Sequence, residues 1–498
     1  MPRVSKPTWT PAPEDYSAVY AEQNPWHQTG RVPDEWAPPV RRALANYLPS
    51  RLQDDRPHRF QLVLGPRRVG KTTALYQTAQ RLLTDGISPR RVQWLRLDHP
   101  LLMQVPLGPL VRNAVQASGA TDAEPLFLFL DELSYSEQWD AWLKTFYDDR
   151  WPVRIAASSS STAALRQRRP ESGVGRWDEQ FLTPYLFLEY LDLVGRSEAV
   201  PTGATLAETI NLCVAQGLWT GGLAEHRTRF LLTGGFPEVL LAFGTAPDDA
   251  TALLRSQGVL RSDAVERAIY KDIPQVFGVD NPLLLERLLY VLAGQVGGVL
   301  SPTSLCQQLG SMSQPTLDKY VSYLERSYLV FTLPNYSGSE LANPRRGRKL
   351  YFVDGAVRNA ALQRGVLPLS DAAEMGFLLE NMAAGHLYAL AQQSGVRLYY
   401  WRERNDEVDL IFDHPSSPLA FEVATSGAHH RRGLQRFQER HPRFRDRCWM
   451  VVAAGQRGVR PTESADGVGT LPLDMLLLAA SAQATRELIG KLAPAAGA

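Results

Sequence analysis

The sequence predicts an α/β fold with a core sheet of parallel strands. Two stretches carry this prediction. Residues 60–83 have the pattern of a short apolar strand, a glycine-bearing loop and an amphipathic helix. Residues 126–130 are consecutive apolar residues followed by two carboxylates, which is typical of a strand buried on both faces of a parallel sheet. Open α/β sheets bind their ligands at the carboxyl ends of such strands.

Composition limits the classes of protein to consider. The 498 residues are 44% hydrophobic and 21% charged, with a net charge of +1. This composition favours a globular protein of about three domains at ~150 residues each. A near-neutral chain has no global attraction to nucleic acid or membranes, so any basic surface is local. We find no signal-peptide pattern, no apolar run long enough to span a bilayer, and no zinc or disulfide spacing among the cysteines. We therefore expect a cytoplasmic protein without membrane association.

The loop after the first predicted strand fits the P-loop spacing G-x-x-x-x-G-K-[ST] in its strand–loop–helix context. Glycines let backbone N–H groups turn toward a phosphate, and the helix N-terminus adds partial positive charge. We expect Lys71 to reach the β- and γ-phosphates and Thr72 to bind Mg²⁺. ATP and Mg²⁺ are thus the predicted cofactors. The predicted nucleotide-binding residues are Gly65, Pro66, Arg67, Arg68, Val69, Gly70, Lys71, Thr72 and Thr73.

The second predicted strand of interest ends in Asp131 and Glu132. We expect Asp131 to hold the Mg²⁺ shell, directly or through water, and Glu132 to orient or deprotonate the attacking water. The alternative is a buried strand that ends in a solvated acidic turn. A P-loop some sixty residues earlier favours the catalytic interpretation.

Two further positions are candidates for the same chemistry. A predicted strand at residues 151–157 leads into four serines, of which Ser158 could sense the γ-phosphate or its water. The alternative is a serine-rich loop that caps a helix. The basic segment 166–176 could supply a charge-stabilising arginine, in cis or to a neighbouring chain, and Arg176 is the candidate.

Taken together, these motifs resemble a large prokaryotic family of AAA-type P-loop ATPases that carry a C-terminal domain of unknown function. The resemblance covers residues 24–455 and implies three parts. These are an AAA-like ATPase core of the additional-strand, catalytic-glutamate type, a winged-helix module and a restriction-endonuclease-like α/β domain. Where the family usually has a Thr-Gly pair, this chain has Ala156-Ala157. The other matching stretches are 175–177, 182–190, 231–238, 270–273, 349–355, 377–381, 400–402 and 407–409.

We expect four segments. Residues 1–57, rich in Pro and Trp, are predicted to be an irregular lead-in. Residues 58–255 form the ATPase domain, in which about 195–228 is an insertion or lid-like segment. Residues 256–356 form the winged-helix domain, and residues 357–498 form the nuclease-like domain.

The winged-helix interpretation also rests on local signals. Ser301-Pro302 and Ser313 are good helix starts, and residues 314–326 repeat apolar residues at helical spacing. Strands are predicted at 328–333 and 350–353. A helix–turn–helix followed by a basic wing is a DNA-binding arrangement, although such modules also serve only to bridge domains. The predicted phosphate contacts are Lys319, Arg345, Arg346, Arg348 and Lys349.

The last segment carries the acids of a metal site. Glu380 lies on a predicted helix, and Asp409 and Glu422 lie on predicted strands. In the PD-(D/E)XK nuclease fold, which this segment resembles, such acids bind Mg²⁺ and a lysine two residues after the second acid assists the attacking water. That position is Ala424, and the sequence has no lysine between Lys349 and Lys491.

We therefore expect Asp409 and Glu422 to retain a metal site in a domain that does not cleave. Gln435 or Arg402 could substitute for the lysine. The arginine-dense stretch 429–447 is either a solvated helix face or a surface for a nucleic-acid backbone.

The sequence thus predicts a Mg²⁺-dependent ATPase that couples its nucleotide cycle to DNA binding, with a homo-oligomer as a possible assembly. One alternative is a regulatory switch in which ATP occupancy sets a conformation that a protein partner recognises. Another is an active ATP-linked nuclease.

Overall fold

The computed structural model describes residues 11–54, 58–160, 175–217, 222–244, 250–310, 312–338, 347–424, 431–453 and 466–493. The chain divides into two compact units. The first comprises 1–65, 70–182 and 488–498, and the second comprises 66–69 and 183–487. Among the described residues, no helix combines the length and apolar character that crossing a membrane requires.

The first unit is built on a parallel five-stranded sheet. Its strands are β1 (Phe60–Leu64), β2 (Val92–Arg96), β3 (Leu126–Asp131), β4 (Val153–Ser159) and β5 (Trp177–Phe181). Its helices are α1 (Pro13–Gln23), α2 (Trp26–Thr29), α3 (Ala43–Gln53), α4 (Lys71–Thr84), α5 (Leu107–Ser118) and α6 (Trp139–Asp148).

The strand order in this sheet is β2-β3-β4-β1-β5, and every neighbouring pair is parallel. Strand β4 therefore lies between β1, which precedes the P-loop, and β3, which ends in Asp131. This is the additional-strand arrangement that the resemblance implied. Strand β3 is buried throughout, as its continuous apolar run predicted, and β1 is buried throughout as well. The carboxyl ends of β1, β3 and β4 share one edge of the sheet.

The N-terminal segment is more ordered than the predicted irregular lead-in. Asn24 pairs with the edge strand β2 as another strand would. Its Oδ1 accepts from the N–H of Trp94 at 2.6 Å, and its Nδ2 donates to the carbonyl of Trp94 at 3.0 Å. Trp26 is fully buried and its Nε1 donates to the carbonyl of Val92 at 2.7 Å. These side chains cover the unpaired backbone groups of an edge strand, which a reading of local periodicity does not detect.

The second unit begins with helices and ends with a second sheet. Its helices up to the hairpin are α7 (Phe187–Leu193), α8 (Leu206–Ala215), α9 (Ala224–Thr233), α10 (Pro237–Gly244), α11 (Ala250–Leu260), α12 (Ile273–Phe277), α13 (Pro282–Ala293), α14 (Pro302–Gln308) and α15 (Gln314–Arg326). Residues Arg261–Glu266 and Ala268–Asp272 are π-helical. The remaining elements are β6 (Val330–Pro334), β7 (Arg348–Phe352), α16 (Gly355–Leu362), α17 (Ala372–Ser394), β8 (Leu398–Glu403), β9 (Asp406–Phe412), β10 (Leu419–Ala424), α18 (Arg432–Arg440), β11 (Cys448–Val452), β12 (Val468–Pro472) and α19 (Leu473–Leu492).

The second sheet has the order β12-β11-β10-β9-β8. Strands β8, β9 and β10 are antiparallel neighbours, whereas β10, β11 and β12 are parallel. Apolar side chains such as Val408 and Phe437 form a buried cluster between this sheet and α18. Strands β6 and β7 form a separate antiparallel hairpin.

The segment predicted as an insertion or lid-like element contains α8, which is docked onto α19. Thr209 on α8 is fully buried, and its hydroxyl donates to Gln483 Oε1 at 3.0 Å. A buried side-chain hydrogen bond between two helices is a packing contact, so this part of the segment belongs to the body of the second unit.

Several stretches that carry the family resemblance meet in the second unit. The Gly235 N–H donates to Asp354 Oδ2 at 2.7 Å, and the Tyr185 N–H donates to the Gly235 carbonyl at 2.7 Å. A Cβ atom at Gly235 would overlap the backbone of Tyr185. Asn381 bonds the N–H and the carbonyl of Phe352 at 2.8 and 3.1 Å. These motifs hold backbone segments together. This structural task is sufficient to explain why these residue types stand there, and no catalytic role is needed.

We predict that His386 makes the second unit acid-sensitive. Its Nδ1–H donates to the Met382 carbonyl at 2.8 Å and its Nε2 accepts from the Phe187 N–H at 2.9 Å, so the folded state needs a neutral ring. Burial lowers the pKa of His386 from 6.5 to about 4. The stability that depends on the neutral ring is therefore present above pH 6.5 and is lost as pH falls toward 4, up to about 3 kcal/mol.

Thermal unfolding at a series of pH values tests this prediction. His386→Gln, which can still accept from Phe187, should flatten the loss of Tm between pH 6.5 and 4. The matched variant His99→Gln should leave it unchanged. Equal acid sensitivity in the wild type and His386→Gln would contradict the assignment.

Candidate functional site

The P-loop has the geometry that its glycines predict. Gly65 has φ 153° and Gly70 has φ 89°, conformations that side-chain-bearing residues rarely adopt. A Cβ atom at Gly65 would also overlap the carbonyl oxygen of Leu182. Helix α4 starts at Lys71, whose buried Nζ donates to the Gly65 carbonyl at 2.9 Å. The amine of Lys71 is thus held across the mouth of the loop, at the N-terminus of a helix.

Two of the predicted nucleotide-binding side chains have carboxylate partners. In the second unit, Arg67 forms a two-pronged ion pair with Asp272, in which Nη2 lies 2.7 Å from Oδ1. Arg68 pairs with Asp263 and lies 3.4 Å from Glu238. Their guanidinium groups are therefore engaged by protein, and the backbone of the loop is what remains to contact a phosphate.

Asp131 ends β3 at the same edge of the sheet as the P-loop. It is 4% exposed, and the Thr72 hydroxyl donates to its two oxygens at 3.1 and 3.2 Å. The Ser158 hydroxyl also donates to Asp131. Burial and the charge of Glu132 raise the pKa of Asp131 to about 6, although the hydroxyl hydrogen bonds and Lys71 act in the opposite direction.

Glu132 has an unusual backbone conformation next to this carboxylate. Its φ of 55° is in the left-handed region, which costs energy for a residue with a side chain. Its N–H donates to the Ser158 hydroxyl at 3.1 Å, and the Ser160 hydroxyl donates to its Oε2 at 3.2 Å. Ser158 therefore positions both acids through its own hydrogen bonds. Ser160, which we did not single out in the sequence, orients the carboxylate of Glu132.

The residues at this edge fit a magnesium ion. The Thr72 hydroxyl and the Asp131 carboxylate are hard oxygen donors within hydrogen-bond distance of each other. The two adjacent acids carry more negative charge than Lys71 supplies. A divalent cation would balance that charge.

Arg176 does not reach this edge of its own sheet. It immediately precedes β5, whose first residue pairs with Phe60 at the amino end of β1, opposite the P-loop. Its guanidinium forms a two-pronged contact with Asp148 at 2.8 and 3.1 Å. The expectation that Arg176 acts in cis is therefore wrong, because the parallel topology places it at the other end of the strands.

The second unit contains a separate acidic pocket, formed by Glu380, Glu407, Asp409 and Glu422. Lys349 enters it from β7 and is 1% exposed. Its Nζ lies 2.7 Å from Asp409 Oδ1, 2.8 Å from Glu380 Oε1 and 2.8 Å from Glu407 Oε1. A second side chain from the same face of β7 completes the contact, since the Tyr351 hydroxyl donates to Glu380 Oε1 at 2.6 Å.

The crowding of acids changes the protonation equilibria of this pocket. Burial disfavours the charged amine of Lys349, but the carboxylates outweigh this effect and raise its pKa well above the ordinary value. Burial and the charge of Asp409 raise the pKa of Glu380 to about 7. Burial and the same neighbour raise the pKa of Glu422 to about 8.

The structure revises two expectations for this region. Lys349 is a buried partner of acids and presents no charge to a nucleic acid, so its assignment as a phosphate contact is wrong. The residues also do not fit the metal expected at Asp409 and Glu422, because an ammonium group already contacts Asp409. Among the described residues, no cluster of three or more His, Cys, Asp or Glu has the arrangement of a metal site.

The proposed substitutes for the lysine lie elsewhere or at the rim. Gln435 donates to Asp466 at 2.7 Å on the surface. Arg402 lies 3.8 Å from Glu407, with half of its side chain exposed. The sequence assigned Lys349 to the basic wing, so this lysine was not considered as a partner of the acids. The alternation in Lys349-Leu350-Tyr351 was the available signal, since it places the amine and the phenol on one face of a strand.

The predicted nucleic-acid contacts have mixed outcomes. Lys319 on α15 and Arg348 on β7 are exposed. Arg345 and Arg346 lie outside the described residues. On α18 and after it, the arginines are largely paired with protein acids, including Arg436 with Asp406, Arg440 with Glu403 at 2.9 Å and Arg443 with Asp413 at 3.0 Å. Ion pairing reduces the charge that this arginine-dense stretch offers to a phosphate backbone.

Three family models match separate stretches of the chain. Residues 57–191 match the family model of the AAA domain. Residues 224–367 and 375–474 match two domains of unknown function, DUF8612 and DUF4143. The match to the AAA domain, together with the parallel sheet and its P-loop, supports an AAA-type P-loop ATPase domain in the first unit.

Similar proteins include two uncharacterized proteins of Methanocaldococcus jannaschii. MJ1637 is 28% identical over 68% of this chain and 70% of its own length, and MJ1544 is 23% identical over 71% and 72%. Among solved structures, the Aeropyrum pernix ORC2 protein in ADPNP–ADP complexes aligns with 15% identity and a TM-score of 0.37. That alignment covers 68% of this chain and 96% of the other.

We predict that Gly65→Ala abolishes nucleotide binding and destabilises the first unit. The new Cβ would meet the Leu182 carbonyl, and overpacking of this kind costs about 1–3 kcal/mol in addition to the strain at φ 153°. Binding of a fluorescent ATP analogue and thermal unfolding are the measurements. Gly258→Ala is the matched control, because a Cβ there meets nothing within 4 Å. Unchanged binding and Tm in Gly65→Ala would contradict the geometry.

Proposed function

We propose that this chain is a Mg²⁺-dependent ATPase whose nucleotide cycle is coupled to DNA binding. The observation that carries the ATPase part is the convergence of Lys71, Thr72, Asp131 and Glu132 at one edge of the parallel sheet. Thr72 donates directly to Asp131, and Ser158 links Asp131 to the backbone of Glu132. Hydrolysis of a phosphoanhydride requires charge stabilisation, metal binding and an oriented water. Lys71 would supply the first, Thr72 and Asp131 the second, and Glu132 the third.

Each residue has a distinct task in this proposal. The Lys71 amine, held at the start of α4, contacts the β- and γ-phosphates once the nucleotide replaces the Gly65 carbonyl as its partner. Bound Mg²⁺ supplies positive charge to the phosphate oxygens. Thr72 and Asp131 are the residues that hold the ion. Glu132, whose Oε2 accepts from the Ser160 hydroxyl, accepts a proton from the attacking water or orients it.

The DNA-binding part rests on residues 282–352. Helices α13, α14 and α15 followed by the β6–β7 hairpin have the element order of a winged helix. Ser301 and Ser313 cap α14 and α15 with their side chains, as the sequence predicted. Lys319 on α15 and Arg348 at the start of β7 are exposed, so both can approach phosphates.

The last part of the chain has the element order expected of a PD-(D/E)XK fold. Helix α17 precedes the antiparallel strands β8, β9 and β10, and α18 leads to the parallel strand β11. Glu380, Asp409 and Glu422 lie on α17, β9 and β10. We propose that this domain does not cleave DNA, because Glu380 and Asp409 already contact the Lys349 amine. A regulatory switch read by a protein partner is the competing interpretation if DNA does not bind.

We predict opposite defects from two substitutions at the nucleotide site. Lys71→Ala removes the point charge on the phosphates, so ATP binding should fall by at least tenfold. Glu132→Gln should bind ATP normally and lose at least 100-fold in turnover, because an amide cannot accept the proton from water. The measurements are ATP binding by fluorescence and phosphate release.

Glu179→Gln is the matched control for loss of an exposed acid in the same unit. It should retain the binding and turnover of the wild type. Wild-type turnover in Glu132→Gln would show that another group activates the water.

We also predict a weaker salt dependence of DNA binding when the wing arginines are removed. Replacing Arg345, Arg346 and Arg348 with Gln should lower affinity and reduce the slope of log K against log salt by about one unit per lost phosphate contact. A filter-binding or anisotropy titration at several salt concentrations measures both quantities.

The matched control removes three exposed arginines of the second unit that lie outside residues 282–352 and 429–447, namely Arg255, Arg404 and Arg486. It should leave the slope unchanged. An equal slope for the wing variant and the wild type would place the contacts elsewhere. Absence of DNA binding by the wild type at low salt would favour the regulatory switch.

A further inference from the structure

We propose that Lys349 is the resident cation of the acidic pocket, so that its ammonium group takes the place of a divalent metal. The pocket is then a filled structural site that is independent of metal. This inference concerns the second unit alone and does not rest on ATP hydrolysis or on DNA binding.

The geometry of the amine carries the inference. An ammonium group has three N–H donors, and Nζ of Lys349 lies 2.7–2.8 Å from oxygens of three different carboxylates. These carboxylates come from α17 and β9, so one amine contacts acids of two different elements. A catalytic lysine needs a donor that is available to water or phosphate. Here each donor has a carboxylate partner.

The backbone fixes Lys349 in this position. It lies within β7, where it pairs with Leu333 of β6 and forms an isolated bridge to Val299. Tyr351 lies two residues later on the same face of β7, and its hydroxyl donates to Glu380. The amine is therefore delivered by a strand that is hydrogen-bonded to its neighbours and that would have to shift to withdraw it.

A metal ion at this point would conflict with the amine. Mg²⁺ requires oxygen ligands at about 2.0–2.1 Å, so an ion bound by the oxygens of Asp409 and Glu380 that face Nζ would lie almost on top of the nitrogen. Two cations that close repel each other strongly in a buried site. Removal of the amine, in contrast, would leave the carboxylates of the pocket without their cation, and a divalent ion is the simplest replacement.

The position of Lys349 has a structural consequence for the second unit. The amine joins β7 of the hairpin to Glu380 on α17 and to Glu407 and Asp409 on β9. The exposed Arg348 is the adjacent residue on β7. The buried ion pairs thus fix the hairpin that carries Arg348 against the second sheet.

The test is Mn²⁺ binding by the full chain without nucleotide, measured from the electron paramagnetic resonance signal of free Mn²⁺. The wild type should have no saturable Mn²⁺ site at the acidic pocket, so Asp409→Asn should not remove any Mn²⁺ binding from it. Lys349→Met should gain one such site per chain, and adding Asp409→Asn should remove it. Lys319→Met, which loses an exposed lysine, is the matched control and should gain none.

Thermal unfolding gives a second readout for the same variants. Lys349→Met should lower Tm by about 10 °C, because it leaves buried charges without a partner. Mn²⁺ should recover much of this loss while leaving the wild type unchanged. If Lys349→Met does not fold, the neutralised variant Lys349→Met/Glu380→Gln/Asp409→Asn should fold without metal and bind none.

Three results would overturn the proposal. The first is a Mn²⁺ site in the wild type that Asp409→Asn abolishes. The second is a folded Lys349→Met protein that gains no site. The third is a neutralised variant that is no more stable than Lys349→Met. A wild-type protein that nicks DNA with Mn²⁺, and stops doing so in Lys349→Met, would instead identify the amine as a catalytic group.

Discussion

The requirement that a buried carboxylate have a partner shapes both units of this protein. Asp131 and Asp409 are each less than one-tenth exposed, at 4% and 9%. A buried charge without compensation costs several kcal/mol, so each carboxylate is surrounded by donors. The identity of those donors differs between the two units.

Asp131 is held by neutral hydroxyl groups from Thr72 and Ser158. Hydroxyl groups satisfy the hydrogen bonds of Asp131 but do not neutralise its negative charge. This suits a carboxylate that binds and releases a metal ion during a reaction cycle. Asp409 is held by the ammonium group of Lys349 and by the backbone N–H of Val423 at 2.9 Å. A fixed internal cation suits a carboxylate that does not exchange one.

The sequence predicted the parts of this fold that follow from local pattern. The bounds of α15 match the predicted residues 314–326, and β3 contains the predicted run 126–130, because the apolar pattern of each lies within the element itself. Long-range pairing was not predictable in the same way. The Asn24 side chain bonds the backbone of Trp94 in the edge strand β2, 70 residues later in the sequence. Lys349 contacts Asp409, which is 60 residues later. Arg176 is close to the serines in sequence, yet the direction of β5 places it at the opposite edge of the sheet.

We propose that the first unit binds a divalent cation together with its nucleotide and that the acidic pocket binds no divalent cation. The most direct measurement is the number of Mn²⁺ ions bound per chain, determined with and without a non-hydrolysable ATP analogue. We expect one ion per chain that binds tightly only when the nucleotide is present and that Thr72→Ala weakens. Stoichiometric Mn²⁺ in the nucleotide-free protein, or none in the nucleotide-bound protein, would contradict the account.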